Sequence, residues 1–428
     1  MKQNPHKGYH KKQLHNGIRI IGEEIPDYNS VTVGIFVFCG GRDEPKDQLG
    51  IAHFTEHMLF KGTKNRSALD ISKTIDRIGG IINAYTNKEY TCYYVKIIKD
   101  KLALGMELLA DIFINSVLPE DELEREKNVV LQEIGMVNDT PDDLVHDLLL
   151  QSLFGKDGLG HSLLGTEEHV KSFSRDKISN FIENYYQNDR IVIAAAGNFR
   201  WQDFNDLAEK YFGQRKSGFK QFKRENLKSG KDIKLFKSHL YQIHTTMGFK
   251  TVSIYNEDRY PLKVLNYILG AGMSSMLFQE LREKSGYAYS VFSFTHEYQD
   301  TGYMEIYYGT SLKHHRDCMD KVNEILTKIA KGDIPKEEVE FAKEQMRGYN
   351  LIAMDSSDAR FSYNAKVELY HNDFIPLEKE LEKVNKVTLD DVVRVANTYL
   401  PLDKAKFAII APSEEHGKVK DKKTTSRK

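Results

Sequence analysis

The sequence predicts an α+β protein of two homologous domains, each a sheet covered by helices. Three observations lead there. Segments of apolar alternation sit beside longer stretches of helical periodicity in both halves of the chain. A polar stretch with seven Lys/Arg and two acidic residues, 213–232, interrupts the 428 residues near their middle. Short matches recur across that interruption, in the same order and at a nearly constant offset.

The elements follow in chain order. "IRIIGEEI" opens the N-terminal half as a strand, and "SVTVGIFVFCGG" alternates Val31, Val33, Ile35 and Val37 before a Gly-Gly turn. "GIAHFTEHMLFKGT" predicts a helix with Ile51, Phe54, Met58 and Leu59 on its apolar side. "SALDISKTIDRIGG" predicts a second helix, closed by Gly79 and Gly80. "IINAYTNKEYTCYYVKII" is rich in Thr, Tyr, Val and Ile and predicts strands. "KLALGMELLADIFINSV" and "PEDELEREKNVVLQEIGMVND" predict long helices. Pro119 opens the second of these, where a missing N–H does no harm, and Val129, Val130 and Ile134 are expected to bury its inner side.

The internal matches pair Met58-Leu59-Phe60 with Met276-Leu277-Phe278. They pair "LPEDELEREK" with "IPKEEVEFAK" (Pro119 with Pro335), and "FSRDKISNFIENYY" with "VTLDDVVRVANTYL" (Tyr185 with Tyr399). The expected organisation is therefore an N-terminal domain 1–212, a linker 213–232, a homologous C-terminal domain 233–412 and a solvated basic tail 413–428.

Bulk properties exclude several function classes. The net charge of −1 gives no argument for nucleic-acid or membrane binding. No apolar run approaches the length that crosses a bilayer. Cys39, Cys92 and Cys318 are odd in number and far apart, which fits neither a disulfide framework nor a zinc finger and suits a reducing compartment. The N-terminus is basic without an apolar core and has no Arg until Arg19. A cytoplasmic, bacterial chain is expected ahead of an organellar matrix protein.

On the first predicted helix, His53, Glu56 and His57 stand at i, i+3 and i+4 and share one face. Two imidazoles a turn apart can hold one divalent ion, with the glutamate reaching its open side. This H-x-x-E-H order inverts the common H-E-x-x-H arrangement. Taken alone, the motif is equally a solvated helix face. Aligning Met58 with Met276 sets Ala271, Ser274 and Ser275 opposite the triad, which suggests a function present in one half only. Glu133 is the candidate third ligand, on a helix most of whose glutamates must face water. Glu126 lies seven residues earlier, on nearly the same face. The repeat sets Ala342 and Tyr349 opposite these two carboxylates.

The joint pattern resembles the pitrilysin/insulysin family of inverzincin metallopeptidases. It is most similar to the mitochondrial processing peptidase β subunit and its bacterial relatives, from "LHNGIRI" to "ANTYL". The resemblance implies one Zn2+ per chain, held by His53, His57 and Glu133, with Glu56 doing the acid/base work and Glu126 tuning the ligands from behind. It also implies that "GAGMSSMLFQELREKSGYAYSVFSF" holds a glycine-rich loop, with Gly270 and Gly272 contacting substrate, followed by an R-x6-Y pair, Arg282 and Tyr289, that would stabilise the substrate carbonyl across a chamber. Without the resemblance, Arg282 reads as a surface cation and Tyr289 as a strand residue. Met276 departs from the Arg that relatives often carry after "GMSS".

Asn83, Ala84 and Thr86 match a strand that binds substrate by edge addition; read alone, that strand would be placed inside the sheet. A two-domain chain would be half of a clam-shell chamber, which implies a homodimer enclosing peptides or unfolded segments. The expected function is a zinc metalloendopeptidase. The alternatives are a non-catalytic peptide-binding or structural subunit of the same fold, or a catalytic subunit needing a distinct inactive partner.

Overall fold

The structure is a computed structural model that describes residues 8–216, 224, 227–238 and 240–413. The expected basic tail beyond Ser413, residues 217–223 and 225–226 of the expected linker, and the first seven residues lie outside them. The first half of the chain forms β1 (Tyr9–Gln13), β2 (Arg19–Glu24), β3 (Ser30–Val37), α1 (Ile51–Leu59) and α2 (Ala68–Asp76). It continues with β4 (Ile81–Thr86), β5 (Thr91–Ile98), α3 (Leu102–Asn115), α4 (Glu120–Asp139) and α5 (Pro141–Phe154). Next come α6 (Glu167–Ser172), α7 (Arg175–Tyr185), β6 (Ile191–Gly197) and α8 (Trp201–Phe212). The second half forms β7 (Ile233–Lys237), β8 (Ile243–Thr251), α9 (Arg259–Leu269), a π-helical turn (Phe278–Lys284), β9 (Ala288–Glu297) and β10 (Gly302–Thr310). It ends with α10 (His315–Lys331), α11 (Lys336–Ala353), α12 (Ser357–His371), α13 (Leu377–Asn385), α14 (Leu389–Tyr399) and β11 (Lys406–Pro412).

Two sheets result, with strand orders β1-β2-β6-β3-β5-β4 and β7-β11-β8-β10-β9. Apart from the added β1, the two orders are the same in element succession, and in each the pair β2–β6 or β7–β11 is parallel. This common topology gives the internal repeat its physical form: two α+β domains of one design.

Element order corrects one of the matches. α1 and α9 each follow the central strand of their sheet, while α2 and the helical segment beginning at Met276 take the next place. Met276-Leu277-Phe278 thus lies one element later than Met58-Leu59-Phe60. Ala271, Ser274 and Ser275 lie in the intervening turn, not opposite the polar triad. Short apolar triplets recur on any amphipathic helix, so this one could not fix the register. The triad remains a feature of one half, because α9, "RYPLKVLNYIL", contains neither His nor Glu.

Two compact units form, and neither is continuous in sequence. The first takes the described residues of 1–136, 161–226 and 351–375; the second takes those of 137–160, 227–350 and 376 onward. One boundary falls inside the expected linker, but α5 belongs to the second unit and α12 to the first. In the first unit, Val31, Val33, Ile35 and Val37 face a core shared with Ile51, Phe54, Met58 and Leu59 of α1 and with residues of α3, α7 and α8. The other sheet face, with Phe36, Cys92, Val192 and Ala194, is covered by Phe361, Ala365 and Leu369 of α12.

The second unit repeats the plan, with Val145, Leu149 and Leu153 of α5 against Tyr303, Tyr307, Ala408 and Ile410. Gly34 on β3 and Gly248 on β8 permit the close approach. A Cβ there would come within 2.6 Å of the Phe361 ring and 2.8 Å of Leu149, respectively. On α4, Val130 and Ile134 are buried as expected, but Val129 is 39% exposed. Among the described residues, no helix is long and apolar enough to cross a membrane.

Candidate metal centre

α1 begins at Gly50, whose φ of +92° lies in the left-handed region that glycine adopts freely. A side chain there would also meet the Leu164 carbonyl oxygen at 2.5 Å. Glycine offers no capping group, and buried Glu44 supplies one. Its carboxylate accepts from Gly50 N at 2.7 Å and from Ala52 N at 2.8 Å, and also meets His161 Nε2 at 2.8 Å. A carboxylate at this end satisfies orphan N–H groups and complements the helix dipole. With Ile51, Phe54, Met58 and Leu59 buried, the opposite face presents His53, Glu56 and His57.

α4 brings Glu133 to that face. His53 Nε2 and His57 Nε2 each lie 3.9 Å from one oxygen of the Glu133 carboxylate. One ligand atom from each of the three lies within 4.8 Å of the others. These gaps are too long for hydrogen bonds and approach the span of two bonds of about 2 Å to a shared ion. Glu126, about two turns earlier on α4 and so on nearly the same face, is buried behind His57. It meets His57 Nδ1 at 3.0 Å, and its other oxygen accepts from Lys61 Nζ at 2.7 Å. With Glu126 ionised the bond draws a proton to His57 Nδ1, so that in the neutral ring Nε2 is the nitrogen free to ligate. Among the described residues, His53 Nδ1 is buried without a hydrogen-bond partner.

Electrostatics separate the two imidazoles. Burial, reinforced by the charge of His57, depresses His53 to about 4, so it is held in the neutral form that ligates metal. Burial also acts to depress His57, but the hydrogen bond to Glu126 and the charges of Glu133, Glu126 and Glu56 outweigh it and raise the group. Burial pushes Glu126 upward, yet its bonds to His57 and Lys61 hold it below the usual carboxylate range. Glu56 is raised by burial, partly offset by a hydrogen bond from Thr86. Two imidazole nitrogens and a carboxylate, one histidine neutral and the other anchored by a carboxylate, are a donor set that fits zinc.

The other expected site residues fall into separate places. β4 is the open edge of its sheet and carries Asn83, Ala84 and Thr86. Asn83 is exposed, with its side-chain oxygen accepting from Ala84 N at 2.8 Å. Thr86 Oγ1 donates to Glu56 Oε2 at 2.5 Å. In the second unit, Gly270 ends α9, where a Cβ would meet Ser293 Oγ at 2.5 Å, and Gly272 lies in the turn that follows. Arg282 sits on the π-helical turn, its guanidinium 4.9 Å from the Phe278 ring centre and 5.5 Å from that of Tyr289. Tyr289, on the sheet edge β9, is 76% exposed.

His53, Glu56, His57, Glu126, Glu133 and Thr86 thus form one cluster in the first unit, and within the second unit Arg282 meets Tyr289. Sequence reasoning missed Lys61, Glu44 and His161. Lys61 lies four residues after His57, a helical spacing that signals it; Glu44 reaches α1 from a loop, which no local spacing records.

A family model described as insulinase (Peptidase family M16) matches residues 19–167, and one described as the peptidase M16 inactive domain matches residues 172–346. An uncharacterized zinc protease of Bacillus subtilis is 39% identical over 398 residues, covering 93% of this chain and 97% of its own. Another, of Mycobacterium leprae, is 34% identical over 398 residues, covering 92% and 89%. The crystal structure of a protease from Helicobacter pylori superposes with a TM-score of 0.89 at 24% identity, covering 94% of this chain and 99% of that one. A peptidase M16 inactive domain from Pseudomonas fluorescens gives 0.86 at 20% identity, covering 95% and 98%. These two likenesses are of fold.

Proposed function

The chain belongs to the insulinase family of peptidases, and from that premise we propose that it is a zinc metalloendopeptidase hydrolysing peptides or unfolded segments. The observation that carries this reading is the convergence of His53, His57 and Glu133, with Glu56 on the same helix face. His53, His57 and Glu133 would hold one zinc per chain. When bound, the ion supplies Lewis acidity that polarises the scissile carbonyl and acidifies water. Glu56 accepts a proton from the attacking water and returns it to the amine as the C–N bond breaks. Glu126 holds His57 in the ligating tautomer.

Arg282 and Tyr289 donate to the carbonyl oxygen as its negative charge grows. Motif resemblance supports this, as it supports Gly270 and Gly272 as substrate contacts. Asn83 and Ala84 lie along a substrate paired to β4, whose outer main-chain groups have no neighbouring strand among the described residues. Two copies of the chain enclose the chamber in which cleavage occurs.

The test is metal analysis beside a quenched-peptide assay on the purified protein. Glu56→Gln is expected to keep its metal and lose at least about 100-fold in cleavage, while His53→Ala loses both. Wild-type cleavage by Glu56→Gln would sink the proposal. Gel filtration of the active species tests the dimer, and an inert monomer activated by a different chain would replace it with a heteromer.

A further inference from the structure

We infer that Thr86 is a positioning residue for Glu56, so that the strand that lays out a peptide also fixes the orientation of the group that moves its proton. The inference rests on the reading of Glu56 as the acid/base group. Thr86 closes β4 and is paired to Thr91 of β5. Thr91 is fully buried, and its hydroxyl donates to the Cys39 carbonyl at 3.0 Å, so the ladder beneath Thr86 is fixed. A β-branched side chain has little χ1 freedom, and the Thr86 hydroxyl is held where it donates to Glu56 Oε2 at 2.5 Å.

Glu56, by contrast, has three rotatable side-chain bonds. The bond from Thr86 commits Oε2 and leaves Oε1, which has no protein partner among the described residues, to exchange the proton. Positioning of this kind matters because a general base must lie within hydrogen-bond reach of the proton it takes.

The two other roles open to Thr86 predict different behaviour. A substrate contact along β4 would act on KM. A strand-end stabiliser would act on the melting temperature and, through α1, on metal content.

The experiment compares the full chain with Thr86→Val and Thr86→Ser. Valine keeps the branched shape and removes the donor; serine keeps the donor. Each form is assayed for kcat and KM on a quenched peptide, for bound zinc and for melting temperature, and each is crystallised to locate the Glu56 carboxylate. For Thr86→Val the expected result is a kcat lower by about tenfold or more, with KM, zinc content and melting temperature near wild type. Glu56 spreads over several rotamers in the Thr86→Val crystal. Thr86→Ser recovers most of kcat and the single rotamer.

An unchanged kcat in Thr86→Val overturns the inference. So does a change confined to KM, a serine variant no better than valine, or one unaltered Glu56 rotamer in the Thr86→Val crystal. The rotamer comparison decides the inference even where no form cleaves peptide. Wild-type protein that binds zinc, keeps the Thr86–Glu56 bond and cleaves nothing counts against the peptidase reading instead.

Discussion

Lys61 adds a charge behind the carboxylate that holds His57. Its ammonium lies 2.7 Å from Glu126 Oε1, while Glu126 Oε2 meets His57 Nδ1 at 3.0 Å. Removing the ammonium leaves a mostly buried carboxylate with one partner fewer and loosens its grip on the ring. Lys61→Met is therefore expected to weaken zinc binding about tenfold, as losses behind a metal-ligating histidine do. Competition with a chromophoric chelator measures it, with Lys61→Arg as the form that keeps the charge; equal affinity in all three would show that Lys61 does nothing for the site. His53, Glu56 and His57 are legible together because one turn of helix sets their relation. Glu126 is legible as a carboxylate but not its partner, because that depends on how α4 crosses α1. The misplaced Val129 has a simple cause: the buried stripe of α4 runs Leu123, Glu126, Val130 and Ile134, and Val129 falls one position off it.

At the scale of elements, the segment leaving α1 is tied to α3 through one carboxylate. Asp111 accepts from Thr63 Oγ1 at 2.7 Å, Asn65 Nδ2 at 2.6 Å, Arg66 Nη1 at 2.8 Å and Asn115 Nδ2 at 2.9 Å. Burial works to raise this group, but the four donors outweigh it and hold it below its usual range. A carboxyl lowered in the folded state contributes stability above its unfolded pKa and loses it as pH falls through the folded one. Asp111→Asn is thus expected to cost about 2 kcal/mol at pH 7, with the gap to wild type closing below about pH 4. Urea titrations across that range check it; a gap independent of pH would exclude the ionised carboxylate as the cause. Element types were legible throughout the stretch from β3 to α4 because alternation and helical periodicity are local. The edge position of β4 was not, since a strand's residues do not record whether a neighbour pairs with its other side. The register between α1 and α9 was not, since a short apolar triplet fits any helix.

At the scale of the molecule, the chain exchanges two equivalent helices. α5 follows α4 as α12 follows α11, yet α5 covers the second sheet and α12 the first. The repeat could not reveal this, because both helices occupy the same place in the pattern whichever sheet each covers. The exchange makes each half of the chain incomplete. Residues 1–212 expressed alone would lack Phe361, Ala365 and Leu369, leaving the face of Phe36, Cys92, Val192 and Ala194 open to water. They would also carry α5 with the apolar side of Val145, Leu149 and Leu153 uncovered. Residues 233–428 alone would have the reciprocal defect. Each large apolar side chain left exposed forfeits about 1.5–3 kcal/mol, and several together exceed the margin by which a domain is stable. The expected outcome is that neither half gives a cooperative thermal transition or a monodisperse gel-filtration peak. Co-expressed, the two halves restore both, since each supplies the helix the other needs. Cooperative unfolding of either isolated half near the melting temperature of the full chain would show that the exchanged helices are dispensable, and that the two units fold as independent domains.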